Sequence, residues 1–189
     1  CGKYTAWRLY QGGCRQTGRI VIMLELFYPD FEAESTYEID YEGLYGKGYR
    51  GVIFDIDNTL VPHGAPADDR AVALFDRLHQ LGYQTILLSN NKEPRVKSFG
   101  DKVHSDYIYK AGKPGKAGYE NAMKKMKTVP ETTIFVGDQL FTDVWGAKRV
   151  GIKSWLVKPI HPKEEIQIVL KRRLEKIVLF FYHRRKKRQ

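Results

Sequence analysis

The chain of 189 residues has only two cysteines, Cys1 and Cys14. Because all later residues lack cysteine, a disulfide framework and a thiolate metal site are excluded there, and we expect two free thiols rather than a disulfide. No apolar run approaches the roughly 18 residues needed to cross a bilayer. Glu25 interrupts the stretch Ile20–Tyr28, which also lacks a signal-peptide cleavage site. We therefore expect a cytoplasmic protein.

Positive charge is concentrated at the two ends of the chain. The net charge is +10, of which residues 171–189 carry +8 and residues 1–22 carry +4, so residues 23–170 carry −2. A near-neutral body argues against a nucleic-acid-binding core, and nucleic acid is not an expected partner. The first methionine is Met23. We interpret residues 1–22 as an upstream extension, residues 23–162 as the folded domain and residues 163–189 as a basic C-terminal helix and tail.

Short apolar runs alternate with amphipathic stretches from Tyr49 onward. The pattern predicts five strands, Val52–Phe54, Thr85–Leu88, Asp106–Tyr109, Thr133–Val136 and Lys153–Val157. It predicts helices at 68–81, where Gly82 is placed to end the helix, at 116–127 and at 144–150. This alternation is typical of the α/β class, in a doubly wound, Rossmann-like parallel sheet with helices on both faces. Ligands bind such sheets beyond the carboxyl ends of the strands.

Reactive side chains follow four of these predicted strands. They are Asp55 and Asp57, then Ser89 and Asn90, then Lys113, and finally Asp138 with Asp143. Each one alone has an ordinary structural explanation, such as a helix cap for Ser89 or a turn for Asp138. Their occurrence in order at successive strand ends favours a single functional site.

The residue types indicate phosphoryl chemistry. Asp55, Asp57 and Asp138 would crowd like charges at one sheet edge, and a hard cation would compensate them. Oxygen ligands without His or Cys favour Mg²⁺. Asp55 could then attack phosphorus and form an aspartyl phosphate, while Asp57 protonates the leaving oxygen and later activates water. Ser89 and Lys113 would contact the transferring phosphoryl oxygens.

These residues resemble the four motifs of the haloacid dehalogenase-like phosphatase superfamily, over roughly Tyr49 to Pro159. The resemblance implies a nucleophile at Asp55, a general acid/base at Asp57, a hydroxyl group at Ser89 and a lysine at Lys113. It implies Mg²⁺ bound by Asp55, by the backbone carbonyl of Asp57, and by Asp138 with support from Asp143. Thr59, Asn90 and Lys113 are the expected substrate-binding residues.

The stretches FDIDNTLVPH, SNNKEPRV, KPGK and VGDQLFTDVWGAKRVG are similar to subclass III members of the YqeG type and to phosphatidylglycerophosphate phosphatases. Such a resemblance implies a phosphorylated lipid head group as substrate. Only 29 residues separate Leu60 from Asn90 and only 22 separate Asn90 from Lys113. Neither gap can hold a cap domain, so we expect an open site for a bulky substrate.

The C-terminal segment is predicted to form an amphipathic helix. Its apolar face would carry Ile166, Leu170, Leu174, Ile177, Val178 and Phe181, and the other face Lys171, Arg172, Arg173, Glu175 and Lys176. Either the helix packs on the core and ends in a solvated basic tail, or it lies on an anionic membrane surface. The second alternative predicts peripheral attachment at the inner face of the membrane.

Three functions are compatible with these patterns. The first is a Mg²⁺-dependent phosphatase that converts phosphatidylglycerophosphate to phosphatidylglycerol. The second keeps the chemistry but acts on another bulky ester, such as a nucleic-acid end, a phosphoprotein or a sugar phosphate. The third is a catalytically idle binding module with a basic tail, which the complete set of polar residues disfavours.

Overall fold

The structure is a computed structural model that describes residues 24–161 and 166–187, in the second range with side chains from residue 173 onward. The predicted extension at 1–22, the proposed start at Met23 and the predicted division after residue 162 lie outside the described residues.

Six parallel strands form one sheet in the order β1-β6-β5-β2-β3-β4. They are β1 (Phe31–Ala33), β2 (Gly51–Phe54), β3 (Gln84–Leu88), β4 (Asp106–Ile108), β5 (Thr133–Gly137) and β6 (Lys153–Val157). The five predicted strands are confirmed to within one residue at each end, whereas the sequence pattern does not indicate the edge strand β1. The chain passes from β2 outward to β3 and β4 and then returns to β5. The strand order therefore switches between β2 and β5, the point where such sheets bind ligands.

Helices cover both faces of the sheet, as the doubly wound class predicts. The first face carries α1 (Tyr41–Gly46), α2 (Asp69–Leu81) and α3 (Glu93–Val103), and the second carries α4 (Lys116–Met126), α5 (Trp145–Arg149) and α6 (Ile166–Lys186). Side chains alternate between the faces along each strand. Phe54 packs on Phe75 of α2, and Phe135 packs on Tyr119 of α4. Gly82 ends α2 in the left-handed conformation, with a φ of 93°.

Helix α6 packs on the domain through residues of both its predicted faces. Val178 is buried in a small cluster with Tyr28, Leu140, Val144 and Leu156. Glu175, expected on the polar face, is only 4% exposed and accepts a hydrogen bond from the backbone N–H of Leu140 at 2.8 Å. The helix therefore contacts the core along a strip that contains a carboxylate.

The predicted apolar face of α6 is divided between core and solvent. Leu174, Ile177 and Phe181 are exposed, although the prediction grouped them with the buried Val178. Apolar residues surround much of this helix, so spacing alone does not select the face that packs. Ile166 and Leu170 lie outside the described side chains. Within residues 24–161 and 166–187, no helix is long and apolar enough to cross a membrane.

The carboxylate of Asp30 joins the chain before β1 to strand β6. Its Oδ2 accepts hydrogen bonds from the backbone N–H and the hydroxyl of Ser154, both at 3.0 Å, and its Oδ1 accepts from Lys153 Nζ at 2.8 Å. Burial raises the pKa of Asp30, but the bonds from Lys153 and Ser154 outweigh it, so the net pKa is lowered. The ionised form is thus favoured by folding.

We expect Asp30→Asn to lower the free energy of unfolding at pH 7 by about 1 to 3 kcal/mol, the usual range for hydrogen bonds to a charged group. A lowered folded-state pKa stabilises the protein above the unfolded value of about 3.9 and loses that effect as the pH falls through the folded value. The difference between wild type and variant should therefore shrink below about pH 4. Urea unfolding at pH 7 and pH 3 measures it, with the exposed Glu120→Gln as control; a constant difference would contradict the prediction.

Candidate active site

Three carboxylates meet at the edge of the sheet where its strand order switches. Asp55 follows β2 and Asp138 follows β5, and Asp143 lies in a π-helical turn (Leu140–Val144) just beyond. All three are buried, and each offers an oxygen within 4.8 Å of the others. The parallel pairing of β2 with β5 brings the first two together.

Lys113 provides a cation inside this cluster. It is 8% exposed, and its Nζ donates to Asp55 Oδ1 at 2.6 Å and to Asp143 Oδ1 at 2.8 Å. Burial lowers the pKa of Lys113, but the charges of Asp143 and Asp55 outweigh this effect, so its pKa is raised. The side chain is therefore an ammonium. The side-chain amide of Asn90 fixes the Lys113 backbone by accepting from its N–H at 2.8 Å and donating to its carbonyl at 3.1 Å.

In this cluster of described residues, three carboxylates lie around one ammonium. Burial raises the pKa of Asp55, Lys113 opposes this effect, and Asp143 adds to it; the net pKa is raised. When Asp55, Asp138 and Asp143 are all ionised against one ammonium, the group carries two excess negative charges in a buried place. A divalent cation would neutralise them, and carboxylate oxygens are suitable ligands for a hard metal ion. The donor set therefore fits a divalent metal site.

A glycine and a backbone turn hold Asp143 in this position. Its Oδ2 accepts from the backbone N–H groups of Asp138 and Gln139 at 3.2 and 3.1 Å. A Cβ atom at Gly137 would lie 2.5 Å from that same oxygen. Only glycine therefore lets β5 end so close to the carboxylate. The predicted helix 144–150 is observed as α5, directly after this π-helical turn, and such turns are often found at functional sites.

Asp57 has a separate environment from Asp55, although both follow the same strand. Its carboxylate accepts from the Gly64 N–H at 2.8 Å, from Arg95 at 3.0 Å and from the Asn91 amide at 3.3 Å. Burial raises the pKa of Asp57, but these donors outweigh it, and the net pKa is lowered. Its carboxylate is not part of the metal-type cluster of the described residues. Ligation through its carbonyl stays a prediction.

The remaining predicted site residues also lie at this edge. Thr59 is buried and donates from Oγ1 to Asp138 Oδ1 at 3.4 Å. Ser89 is 3% exposed, and its Oγ accepts from the Asn91 N–H at 3.2 Å. The fold thus brings every predicted site residue to one edge, while the role of each stays a prediction.

Sequence reasoning missed two residues that contact this region. Arg95 binds Asp57, and Glu175 of α6 caps the turn that carries Asp143. Arg95 lies in the first turn of α3, directly after the polar end of β3, so its position along the sequence could have indicated it. Glu175 is 32 residues beyond Asp143, and we find no sequence signal that indicates this contact.

Comparisons with known proteins agree with this geometry. A model of the haloacid dehalogenase-like hydrolase family matches residues 63–151. The probable phosphatase YqeG of Bacillus subtilis is 33% identical over 159 residues, which are 84% of this chain and 92% of that protein. Phosphatidylglycerophosphate phosphatase 1 of Arabidopsis thaliana is 28% identical over 168 residues, 80% of this chain and 47% of the plant protein. A solved structure, hypothetical protein XCC2798 from Xanthomonas campestris, has a TM-score of 0.51 at 13% identity, over 66% of this chain and 73% of its own; it shows the fold alone.

Replacing Lys113 by Met should destabilise the protein strongly in the absence of divalent ions. Removing one partner of a buried ion pair costs roughly 3 to 5 kcal/mol. Because the variant cluster has more negative charge, a divalent cation should bind it more tightly and raise its unfolding temperature more than that of the wild type.

Thermal unfolding with and without Mg²⁺ measures this difference, and Lys116→Met, at an exposed position of α4, is the control. A Mg²⁺-dependent increase no larger in the Lys113 variant than in the wild type would contradict a metal site at these carboxylates.

Proposed function

We propose that this chain, which belongs to the haloacid dehalogenase-like hydrolases and is a phosphatase of the YqeG type, acts on a phospholipid. The proposed reaction converts phosphatidylglycerophosphate to phosphatidylglycerol. The observation that carries this proposal is Asp55, held by Lys113 beside Asp138 and Asp143 at an edge over which residues 61–112 insert no domain. The similarity of this chain to the plant phosphatidylglycerophosphate phosphatase supports the choice of substrate.

In the first step Asp55 acts as the nucleophile. One of its carboxylate oxygens forms a bond to phosphorus while the bond from phosphorus to the leaving glycerol oxygen breaks. Asp57 in its protonated form, which its lowered pKa makes the minor form in the free site, gives a proton to that oxygen, so the alcohol leaves uncharged. Lys113, with its raised pKa, remains an ammonium beside the incoming phosphoryl oxygens. The hydroxyl of Ser89 is proposed to donate to another of these oxygens.

In the second step the aspartyl phosphate is hydrolysed. Asp57, now a carboxylate, takes a proton from water as the water oxygen bonds to phosphorus and the bond to Asp55 breaks. Gly64, Asn91 and Arg95 keep Asp57 oriented and favour its ionised form. Asp55, Asp138, Asp143 and the Asp57 carbonyl are proposed to hold Mg²⁺, which when bound neutralises carboxylate and phosphoryl charge.

The open edge favours a bulky substrate. Residues 61–89 contain a loop, α2 and β3, and residues 91–112 contain α3 and β4. Neither stretch forms a cap over Asp55, so a phosphate ester attached to a large body can reach the nucleophile. Thr59 and Asn90 contact Asp138 and Lys113 in this structure, and we propose that they act on substrate through these two residues.

The exposed surface of α6 favours the proposal that the protein binds its substrate at a membrane. Leu174, Ile177 and Phe180 are 53%, 54% and 59% exposed, and Phe181 lies beside them. Exposed Arg184 and Lys187 follow on the same helix or just after it. Apolar side chains flanked by basic ones bind anionic interfaces, and each basic residue near the surface adds about 1 kcal/mol. We call this surface, formed by Leu174, Ile177, Phe180, Phe181, Arg184 and Lys187, the outer strip of α6.

We expect the wild type with Mg²⁺ to release phosphate from phosphatidylglycerophosphate in vesicles more efficiently than from small phosphate esters. Asp55→Asn should reduce every such activity by at least about 10³-fold, because an amide cannot form the covalent intermediate. Phosphate release under matched conditions measures both, and comparable unfolding temperatures verify that the variant is folded. A strong preference for small esters, phosphopeptides or nucleic-acid ends would contradict the lipid substrate, and persistent activity of the variant would contradict the nucleophile.

Replacing Ile177 and Phe181 together by Ser should weaken binding to anionic vesicles about tenfold or more, since both side chains would lose apolar burial at the interface. This variant is preferable to truncation, which would also remove Val178 and Glu175 from the core. Vesicle sedimentation measures binding, and Val129→Ser, another exposed apolar position, is the matched control. Equal sedimentation of the double variant and the wild type would exclude the outer strip as the membrane contact.

A further inference from the structure

Arg95 reaches into the site from the first turn of α3. Its terminal nitrogen donates to Asp57 Oδ1 at 3.0 Å, and its guanidinium carbon lies 5.5 Å from the centre of the Phe99 ring. The side chain of Arg95 is 18% exposed and that of Asp57 is 14% exposed. The guanidinium is therefore held by Asp57 and by packing near Phe99, and part of the side chain remains exposed.

Most of the hydrogen-bonding capacity of this guanidinium is unused within the described part of the chain. A guanidinium has five N–H donors, and the hydrogen bond from Arg95 to described residues goes to Asp57. Its Nε is buried without an acceptor among those residues. A buried donor without a partner is costly. Because Nε is buried, an acceptor that arrives with a ligand would bind the terminal N–H groups of this partly exposed side chain.

Arg95 is placed to contact the leaving group of the substrate rather than the phosphoryl group that is transferred. The transferred phosphoryl group faces Lys113, which bonds Asp55. Asp57, in the role proposed above, exchanges a proton with the leaving oxygen. A guanidinium bonded to Asp57 would therefore lie beside the leaving group.

We propose that Arg95 is a specificity-determining residue that binds a second anionic group, a phosphodiester, carried by the leaving group of the substrate. This inference rests on the proposed function, since it uses the role of Asp57. In phosphatidylglycerophosphate one glycerol unit separates the two phosphates, a distance that the long arginine side chain can span. Arginine binds phosphate through two parallel N–H donors, a geometry that lysine does not reproduce.

The test uses soluble substrates, so that membrane binding does not contribute. The two substrates are deacylated phosphatidylglycerophosphate, which contains the diester, and glycerol 3-phosphate, which lacks it. In Arg95→Gln, kcat/KM should fall for both, because Asp57 loses a partner. The ratio of kcat/KM between the two substrates should fall further by about 10- to 100-fold, the worth of a hydrogen-bonded charge. Arg95→Lys should recover only part of this ratio.

Lys97→Gln is the matched control, because it removes the same charge from the same helix at a side chain that bonds the exposed Asp101 instead. If Arg95→Gln lowers kcat/KM equally for both substrates, Arg95 acts only through Asp57 and the inference is overturned. An equal fall of the ratio in Lys97→Gln would overturn it in favour of a general electrostatic effect.

Failure of the proposed function has a different signature in the same experiment. If the wild type prefers glycerol 3-phosphate, the diester does not contribute to substrate recognition. This result would contradict both the proposed lipid head-group substrate and the proposed role of Arg95. A wild type that prefers the diester-containing substrate, with the preference unchanged in Arg95→Gln, leaves the proposed function standing and overturns the inference alone.

Discussion

The bonds from Lys113 to Asp55 and Asp143 are the interaction on which the site depends. They join the end of β2, the loop after β4 and the turn after β5, three places that are far apart in the sequence. Buried charges require local partners because water does not reach them. Lys113 provides one partner, and Asn90 fixes its backbone from the end of β3. Four strand ends are thus held in one arrangement, and the excess negative charge that remains accounts for the fit to a divalent cation.

The two aspartates of the FDIDNTL segment show how neighbouring residues obtain different chemistry. Asp55 is buried beside other carboxylates, and its pKa is raised, whereas Asp57 receives three donors and its pKa is lowered. Environment rather than residue type therefore separates their proposed roles, as in other enzymes that use two carboxylates. The tight turn after β2 makes this possible, since Asp57 pairs with Val61 in an isolated bridge and its carboxylate turns to Gly64.

The sequence predicted the features that depend on local pattern. Apolar runs identified five strands, and parallel pairing then placed their polar ends at one edge, so the site residues could be named before any contact was known. Strand β1 was missed because three residues have no periodicity of their own and pair only once β6 is present. The side of α6 that packs on the domain could not be selected from the sequence because apolar residues lie on several sides of the helix. Arg95 and Glu175 were missed because their partners are determined by tertiary packing.

Glu175 links the surface of the protein to its chemistry. Its carboxylate accepts from Leu140, the first residue of the turn that holds Asp143, while the outer strip lies on the opposite side of the same helix. An α-helix with its side chains is about 10 Å across, so whatever α6 contacts is close to the turn that carries a proposed metal ligand. A capped phosphatase selects its substrate with an inserted domain. In this chain one helix is packed against the turn through Glu175 and Val178. In the function proposed above, this helix would orient the open edge toward a surface, and a bulky, surface-bound ester would be selected without a cap.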